Sequence, residues 1–209
     1  MYSAGNSAFA SNVAIAVRVR IEWRINPVCR FRRIAIKSVA TVTTALLSLV
    51  LAAPAFAALS VGAQAPDFSA PGVQGSTVIA VDLLELLKKG PVVIFFFPSV
   101  FAGGSDDESH EFADAIEKFR AVGATVVGMS RDPLDTLGRF STENCAGKFP
   151  MVSAELSVVT GYDVNDNANF TTRTTYVIAP TGKIVFVHDD DDYRGHVKKT
   201  LAFVQAMKR

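Results

Sequence analysis

The thiol groups are the part of this sequence most able to do redox chemistry, and the 209 residues hold two of them, Cys29 and Cys145. The thiolate is the reactive form, and a neighbouring cation favours it by lowering the thiol pKa. Because Lys148 follows Cys145 by three residues, one hypothesis is a one-cysteine redox site. The other is that Cys145 is partly buried and packs as a small hydrophobic side chain, as lone cysteines usually do.

A serine, a histidine and an aspartate lie close together at Ser105, His110 and Asp114, and these are the residue types of a hydrolase triad. In such a triad the serine hydroxyl must reach the imidazole ring. Ser105 and His110 are five positions apart on one predicted helix, so their side chains point in different directions and the spacing argues against a triad. His110 alone does not make a metal-binding set, and we expect it on a helix surface.

Near the end of the chain, His188 is followed by four consecutive aspartates, residues 189–192. Carboxylates are calcium ligands, but the run lacks the spacing of an EF-hand loop. The sequence favours a solvated loop in which Asp192 is the N-cap of the final helix. We expect neither a metal nor another cofactor.

The first 57 residues are typical of an export signal. A basic cluster that ends at Lys37 is followed by an uncharged, largely apolar stretch, residues 38–58, which contains the small-x-small motif Ala55, Phe56 and Ala57. This order predicts a secretory signal cleaved after Ala57, and hence an exported protein of the periplasm or cell envelope. An uncleaved membrane anchor is the alternative, because the apolar run is close to spanning length.

Cleavage there would leave one domain, residues 58–209, and would remove Cys29 and the single Trp23. Residues 1–29 precede the signal, and a wrongly chosen start codon is one hypothesis for them. The mature domain would keep Cys145 alone and could form no internal disulfide. Residues 1–57 hold seven of the 21 basic and one of the 20 acidic side chains, so the remainder carries a net charge of about −5. That charge argues against binding to nucleic acid or to an anionic membrane.

The element that would position Ser105 is a helix that follows a buried strand. Residues 92–97 form a continuous apolar run that ends at Pro98, which predicts a strand buried on both faces. Ser105 and Glu108 have the spacing of a capping box, so we expect Ser105 to cap the helix. Gly123 would end it. The inward face would consist of Phe112, Ala115, Ile116 and Phe119.

The rest of the pattern alternates strands and helices. Residues 125–129 predict a second strand, after which Asp132 and Pro133 would open a second helix as N-cap and first residue. Residues 174–178 and 183–188 predict a β-hairpin. The inward faces of the later helices would be formed by Leu134, Leu137 and Phe140, by Val158, Val159 and Tyr162, and by Val197, Leu201 and Val204. This order is the thioredoxin arrangement, an α/β fold with a central mixed sheet and helices on both faces.

Several short motifs occur in a fixed order along residues 60–209. They are residues 65–68, 93–97, 123–130, 149–150, 173–178 and 180–184. Together they resemble the peroxiredoxins of the alkyl hydroperoxide reductase / thiol-specific antioxidant group (AhpC/TSA), most closely the monomeric bacterioferritin-comigratory-protein type. The resemblance implies the thioredoxin fold, thiol-dependent reduction of hydroperoxides, a thioredoxin-like reductant and a monomer or weak dimer.

The same resemblance locates an active site whose chemistry is altered in this chain. The family carries Pro, three residues, Thr, two residues and the peroxidatic Cys, and the aligned residues here are Pro98, Ala102 and Ser105. The pocket arginine of the family falls on Arg173, and a resolving cysteine five residues past the nucleophile would fall on His110. A helix N-terminus and an arginine can lower the pKa of a thiol, but no such tuning makes a serine hydroxyl ionise.

These residues lead to two hypotheses. In the first, the chain is a catalytically degenerate peroxiredoxin-family protein of the cell envelope that binds an unidentified partner or ligand, or has a structural role. In the second, it is an active thiol peroxidase or other oxidoreductase that uses Cys145 and a thioredoxin-like reductant. The first depends on Ser105 and Ala102, and the second on the one thiol of the mature domain.

Overall fold

The computed structural model describes residues 58–167 and 169–207. The predicted signal and the extension before it, with Cys29 and Trp23, lie outside the described residues, so cleavage after Ala57 and export stay predictions. Within the described ranges, none of the helices has both the length and the apolarity needed to cross a lipid bilayer.

Nine strands and five helices follow one another in the part of the chain that the structure describes. The strands are β1 (Ser69–Gln74), β2 (Thr77–Asp82), β3 (Val92–Phe96), β4 (Thr125–Ser130), β5 (Met151–Ser153), β6 (Asn165–Asn167), β7 (Phe170–Thr171), β8 (Thr174–Ile178) and β9 (Ile184–Asp189). The helices are α1 (Leu83–Leu87), α2 (Ser105–Ala121), α3 (Leu134–Cys145), α4 (Leu156–Gly161) and α5 (His196–Met207).

Seven strands form one mixed sheet in the order β2-β1-β5-β4-β3-β8-β9. The central strands β3, β4 and β5 run parallel, and β8 and β1 flank them in antiparallel pairing. Val92 lies opposite Thr125, and Phe96 lies opposite Met129. In sheets of this kind functional residues collect beyond the carboxyl ends of the parallel strands. The turn between β3 and α2 lies at such an end.

Polar and apolar residues do not alternate along strand β3, because both faces of the strand are covered. Val93 and Phe95 belong to a first core with α2, α3 and α5, in which Phe95 stacks on Phe112 with 4.3 Å between ring centroids. Ile94 and Phe96 belong to a second core on the other face of the sheet, with α1 and α4. A strand buried on both sides has no need of polar residues. The predicted α/β fold with helices on both sheet faces is confirmed.

The chain is anchored to the sheet almost from its first described residue. The Leu59 N–H donates to the Tyr176 hydroxyl over 3.0 Å. The Gly62 N–H donates to the Ile184 carbonyl over 2.8 Å, and the Ile184 N–H donates to the Ala63 carbonyl over 2.9 Å. These bonds occupy part of the outer edge of β9, which would otherwise present unpaired backbone groups.

Several elements were missed by the sequence analysis. They include the β1–β2 hairpin and β5, which extend the sheet on one side, and the short helix α1 that follows β2. Pro71 and Gly72 lie within β1, and both residue types weaken a strand pattern. Three of the residues expected to face inward are half-buried and pack against the cores, namely Leu134, Val158 and Leu201.

Two predicted helix caps are wrong. Helix α3 begins at Leu134, and the Asp132 carboxylate bonds to the turn before α2 instead of to the first turn of α3. Helix α5 begins at His196, and the Asp192 carboxylate accepts hydrogen bonds from Arg194. A capping side chain must accept an N–H of the first helical turn. Both aspartates instead have other donors within reach.

Gly128 in β4 tests how tightly the first core is packed. A Cβ at this position would lie 2.6 Å from Met151 Sδ and 2.8 Å from Phe95 Cζ. Because both neighbours are fully buried, we expect Gly128→Ala to lower the free energy of unfolding by about 1–3 kcal/mol in urea denaturation. The matched control is Gly103→Ala, where an added Cβ meets nothing within 4 Å. The control should stay within about 0.5 kcal/mol of wild type, and equal losses in both variants would contradict the packing.

Candidate functional site

The turn between β3 and α2 carries the predicted site and is held by one carboxylate. Asp132, which follows β4, accepts hydrogen bonds from Ser99 Oγ and from the Val100 N–H, each over 2.9 Å. It also accepts one from Ser130 Oγ over 2.7 Å. Parallel pairing brings the carboxyl ends of β3 and β4 to the same edge, which explains how Asp132 reaches this turn.

Helix α2 begins at Ser105, but Ser105 does not cap it. The N-cap is Gly104, whose φ of 82° lies in the left-handed region that favours glycine. The Ser105 side chain is fully buried, and its Oγ has no hydrogen-bond partner among the described residues. The predicted capping box is wrong, because the Glu108 carboxylate pairs with Arg173 instead of returning to the helix start.

Arg173 and Glu108 form a buried ion pair beside the helix start. Arg173 immediately precedes β8, and its Nη1 donates to Glu108 Oε2. Its Nη2 donates to the Gly103 carbonyl and its Nε to the Asp191 carbonyl, each over 3.0 Å. Burial raises the pKa of Glu108 to about 7, and the positive charge of Arg173 opposes that rise. Every nitrogen of the guanidinium group is therefore engaged within the protein.

A second buried titratable side chain, His196, begins α5 next to this pair. Its Nδ1 lies 2.7 Å from Thr175 Oγ1 and 3.6 Å from Glu108 Oε1, and its Nε2 lies 3.0 Å from the Asp190 carbonyl oxygen. A carbonyl only accepts, so Nε2 carries the proton and Nδ1 accepts from the Thr175 hydroxyl. Burial lowers the pKa of His196 to about 4, which keeps the ring neutral at physiological pH.

The loop that contains the acidic run covers the start of α2. The Tyr193 ring packs against Gly104, where an added Cβ would lie 2.4 Å from Tyr193 Cδ1. A hydrogen bond to Asp107 raises the pKa of the Tyr193 hydroxyl. The loop is also tied to Arg173, whose carbonyl accepts from the Asp190 N–H over 3.2 Å. Residue 104 must be glycine both for its left-handed backbone and for this close aromatic contact.

The positions that the sequence assigned to the pocket come together here. The Ala102 carbonyl accepts a hydrogen bond from the Ser105 N–H over 3.1 Å, and Arg173 reaches Gly103 between them. Pro98 is half-buried at the start of the same turn. Ala102 contributes a methyl group where a hydroxyl could orient a bound peroxide. The group as a whole supplies hydrogen bonds and charge, but no nucleophile of low pKa.

Cys145 is the last residue of α3 and is buried in the first core. Burial raises the pKa of its thiol to about 12, and the neighbouring Ser109 hydroxyl only partly opposes that rise. The Lys148 ammonium donates to the Ala113 carbonyl over 3.0 Å. Lys148 therefore does not lower the pKa of Cys145 as its spacing had suggested.

The remaining candidate residues do not form a site with Ser105. His110 and Asp114 are exposed on α2, and His110 Nδ1 lies 3.0 Å from the Asp106 carbonyl oxygen, so these residues make no triad with the buried serine. His188 is half-buried, and its Nε2 lies 3.1 Å from Lys199 Nζ.

Sequence reasoning missed the roles of Asp132, Tyr193 and His196. A buried arginine requires a carboxylate partner, so the assignment of Arg173 could have directed attention to Glu108. Asp132 was noticed only as a helix cap. Tyr193 and His196 carry no local signal, because each contacts segments that are distant in the sequence.

The fold and the site together define a class of protein. A central parallel strand leads through a fixed turn into a helix, and the site residue is the first residue of that helix. A buried arginine from the start of the neighbouring strand reaches the same turn. This is a thioredoxin-fold protein in which a buried arginine reaches the turn before the first helix after a central strand.

Comparisons with known proteins agree with this class. The family model described as the AhpC/TSA family matches residues 61–187. A putative peroxiredoxin of Mycobacterium tuberculosis is 30% identical over 156 residues, which cover 72% of this chain and 99% of that protein. Peroxiredoxin Bcp of Bacillus subtilis is 25% identical over 156 residues, which cover 71% of this chain and 97% of that protein. The crystal structure of peroxidoxin BcpB from M. tuberculosis matches 71% of this chain and 98% of its own, with a TM-score of 0.63 and 30% identity. The chain belongs to the AhpC/TSA family of peroxiredoxins.

The buried neutral state of His196 predicts a pH-dependent stability. Its folded pKa of about 4 lies below its ordinary value of 6.5, so the folded state resists protonation. The contribution of neutral His196 to the free energy of unfolding is fully present above pH 6.5 and is lost as the pH falls towards 4. We expect wild type to lose about 3 kcal/mol of unfolding free energy over this range through His196, at 1.36 kcal/mol per pKa unit.

His196→Gln isolates this loss, because glutamine keeps a donor and an acceptor but does not titrate. Glu108 and His188 lie beside the ring and titrate in both proteins, so their effects largely cancel in the difference between the two unfolding free energies. Urea denaturation at a series of pH values measures that difference. A difference that does not change with pH would contradict the neutral buried state.

Proposed function

We propose that this chain is a peroxiredoxin-family protein that no longer reduces hydroperoxides and acts in the cell envelope through binding or structure. The observation that carries the proposal is a serine at position 105, where the family reaction needs a thiolate. In that reaction the sulfur bonds to one peroxide oxygen, the O–O bond breaks, and the other oxygen leaves as water or an alcohol. A serine hydroxyl stays protonated at neutral pH, and its oxygen is a poor nucleophile towards another oxygen.

The state of the pocket residues supports the proposal. The Ser105 hydroxyl is fully buried. Arg173 is bonded to Glu108 and has its remaining donors on backbone carbonyls. Ala102 offers no hydroxyl to a ligand. A pocket with these features has neither the electron donor nor the free cation that peroxide reduction would use.

The first turn of α2 also supports the proposal that the chain no longer reduces hydroperoxides. Asp106 and Asp107 place negative charge at the helix N-terminus, where they favour the helix but would oppose a bound anion. Tyr193 packs on Gly104 at the same helix start. These contacts stabilise a closed helix start.

The second candidate function is thiol peroxidase activity through Cys145, served by a thioredoxin-like reductant. It is kept because Cys145 is a free thiol within the described residues and the relatives are named as peroxiredoxins. Burial argues against it. With a pKa of about 12, roughly 10⁻⁵ of the thiol would be thiolate at pH 7, and a peroxide would need access to the first core.

Hydroperoxide consumption by the purified mature protein tests the proposal. With thioredoxin, thioredoxin reductase and NADPH as the electron supply, we expect hydrogen peroxide and cumene hydroperoxide to be consumed no faster than in the protein-free mixture. Sustained turnover by wild type would overturn the proposal. If that turnover disappeared in Cys145→Ser, the second candidate function would take its place.

Ala102→Thr combined with Ser105→Cys is the matched gain-of-function control, because it restores both family residues within an unchanged framework. After addition of hydrogen peroxide we expect a sulfenic acid at position 105, detected by dimedone labelling and mass spectrometry. Absence of the label would mean that the pairing of Arg173 or the contact of Tyr193 also prevents the reaction.

We also propose that the chain is exported, cleaved after Ala57, and present as a monomer or weak dimer with an envelope partner. The basis for export and cleavage is the basic cluster, the apolar stretch and the small-x-small motif before Ala58. We expect the protein in the periplasmic or envelope fraction, with Ala58 as its N-terminal residue in sequencing. Ala57→Arg should leave a longer, uncleaved chain, because the cleavage motif requires a small residue there. A cytosolic wild-type chain that begins near Met1 would contradict export.

A further inference from the structure

Phe101 lies in the turn between β3 and α2 and is 86% exposed, more than any other large apolar residue among those described. Single exposed apolar side chains are common on protein surfaces and need no explanation by themselves. Phe101 differs from such residues in three respects, which are the rigidity of its backbone, the cavity beside it and the charge around it.

The backbone on both sides of Phe101 is fixed by hydrogen bonds. The Val100 N–H donates to Asp132 over 2.9 Å, and the Phe101 N–H donates to Ser99 Oγ over 3.3 Å. The Ala102 N–H donates to the Ser99 carbonyl over 3.1 Å. A segment that is already ordered loses little entropy when a partner binds. An apolar side chain presented in this way can therefore contribute most of its burial energy to affinity.

A cavity of about 550 Å³ adjoins Phe101 between the turn and α3. Val100 and Phe140 supply its apolar part, and Thr136 and Asn144 line it with polar groups from α3. A space of this size is within the range of ligand sites in proteins. It can accept a bulky apolar side chain from a binding partner while Phe101 packs against the same segment.

Two acidic side chains line the cavity, Asp106 and Glu143, and we call them the acidic rim. Arg139 also lines the cavity, with the Asp135 carboxylate 3.9 Å away. We name Phe101, its cavity and the acidic rim the Phe101 surface. Its charge complements a cationic partner.

We propose that the Phe101 surface is a docking site for a cationic segment of a partner protein that carries a bulky apolar side chain. The apolar side chain enters the cavity beside Phe101, and lysine or arginine groups face the acidic rim. The inference rests on the proposed function, since it states the chemistry of the partner that a non-catalytic envelope protein of this kind recognises.

A second copy of this chain fits the surface poorly. A two-fold symmetric interface places the same patch of both subunits face to face. Both subunits would then bring the same acidic rim to the interface, and like charges across an interface oppose association. A basic segment removes that repulsion and fills the same cavity.

The test uses two rhodamine-labelled peptides and fluorescence polarisation with the mature protein. One peptide is Gly-Lys-Phe-Lys-Leu-Lys-Gly, and the other has Glu in place of each Lys. We expect the lysine peptide to bind and its affinity to fall as salt is raised. Phe101→Ala should weaken it about tenfold, and Asp106→Asn about threefold. Leu84→Ala, at a 53% exposed position on α1, is the matched control and should leave binding unchanged.

Three results would overturn the inference: absence of binding by the lysine peptide, equal binding by the glutamate peptide, or equal affinity of wild type and Phe101→Ala. Analytical ultracentrifugation adds a fourth, because a dimer that disappears in Phe101→Ala would assign the surface to a second copy. Circular dichroism confirms that each variant is folded. Peroxide turnover is measured separately, so peptide binding together with turnover would leave the docking site in place and reject only the loss of catalysis.

Discussion

The buried ion pair between Arg173 and Glu108 is the interaction on which the rest of the site depends. A charge removed from water is costly unless an opposite charge and hydrogen bonds surround it. Arg173 meets this requirement with Glu108 and with the carbonyls of Gly103 and Asp191. These partners come from α2, from the turn before it and from the loop before α5. One guanidinium group thus fixes the start of α2 relative to the loop before α5, which is far from it in the sequence.

The residues that hold the site in place are different from the residue that would carry out its chemistry. Asp132 holds the turn, Tyr193 packs on Gly104, and Arg173 bonds to backbone and to Glu108. None of these contacts uses the side chain of residue 105. A serine can therefore occupy that position without disturbing the structure around it, and a fold of this family can outlast the reaction for which the family is known.

Local periodicity explains which parts of the fold the sequence could predict. The unbroken apolar run and the helical spacing after Ser105 predicted β3 and α2, and the family motifs placed Ala102, Ser105 and Arg173 in one site. The predicted cap of α5 failed locally, because Asp192 bonds to Arg194, two residues away. The caps of α2 and α3 failed because a cap motif considers only neighbours in the sequence, whereas Glu108 and Asp132 bond to groups brought close by the fold. Contacts of that kind follow from the packed sheet and helices, which no short pattern encodes.

The anchoring of the N-terminal segment bears on the order of events during maturation. Leu59 and Gly62 already hydrogen-bond to the folded sheet, immediately after the proposed cleavage point at Ala57. Proteases act on accessible, extended chain. In the folded domain only Ala58 separates the proposed cleavage point from Leu59, which is already hydrogen-bonded. Cutting the folded protein would require Leu59 to detach from Tyr176. If the chain is cleaved as proposed, signal removal is therefore easier before Leu59 bonds to Tyr176 than after.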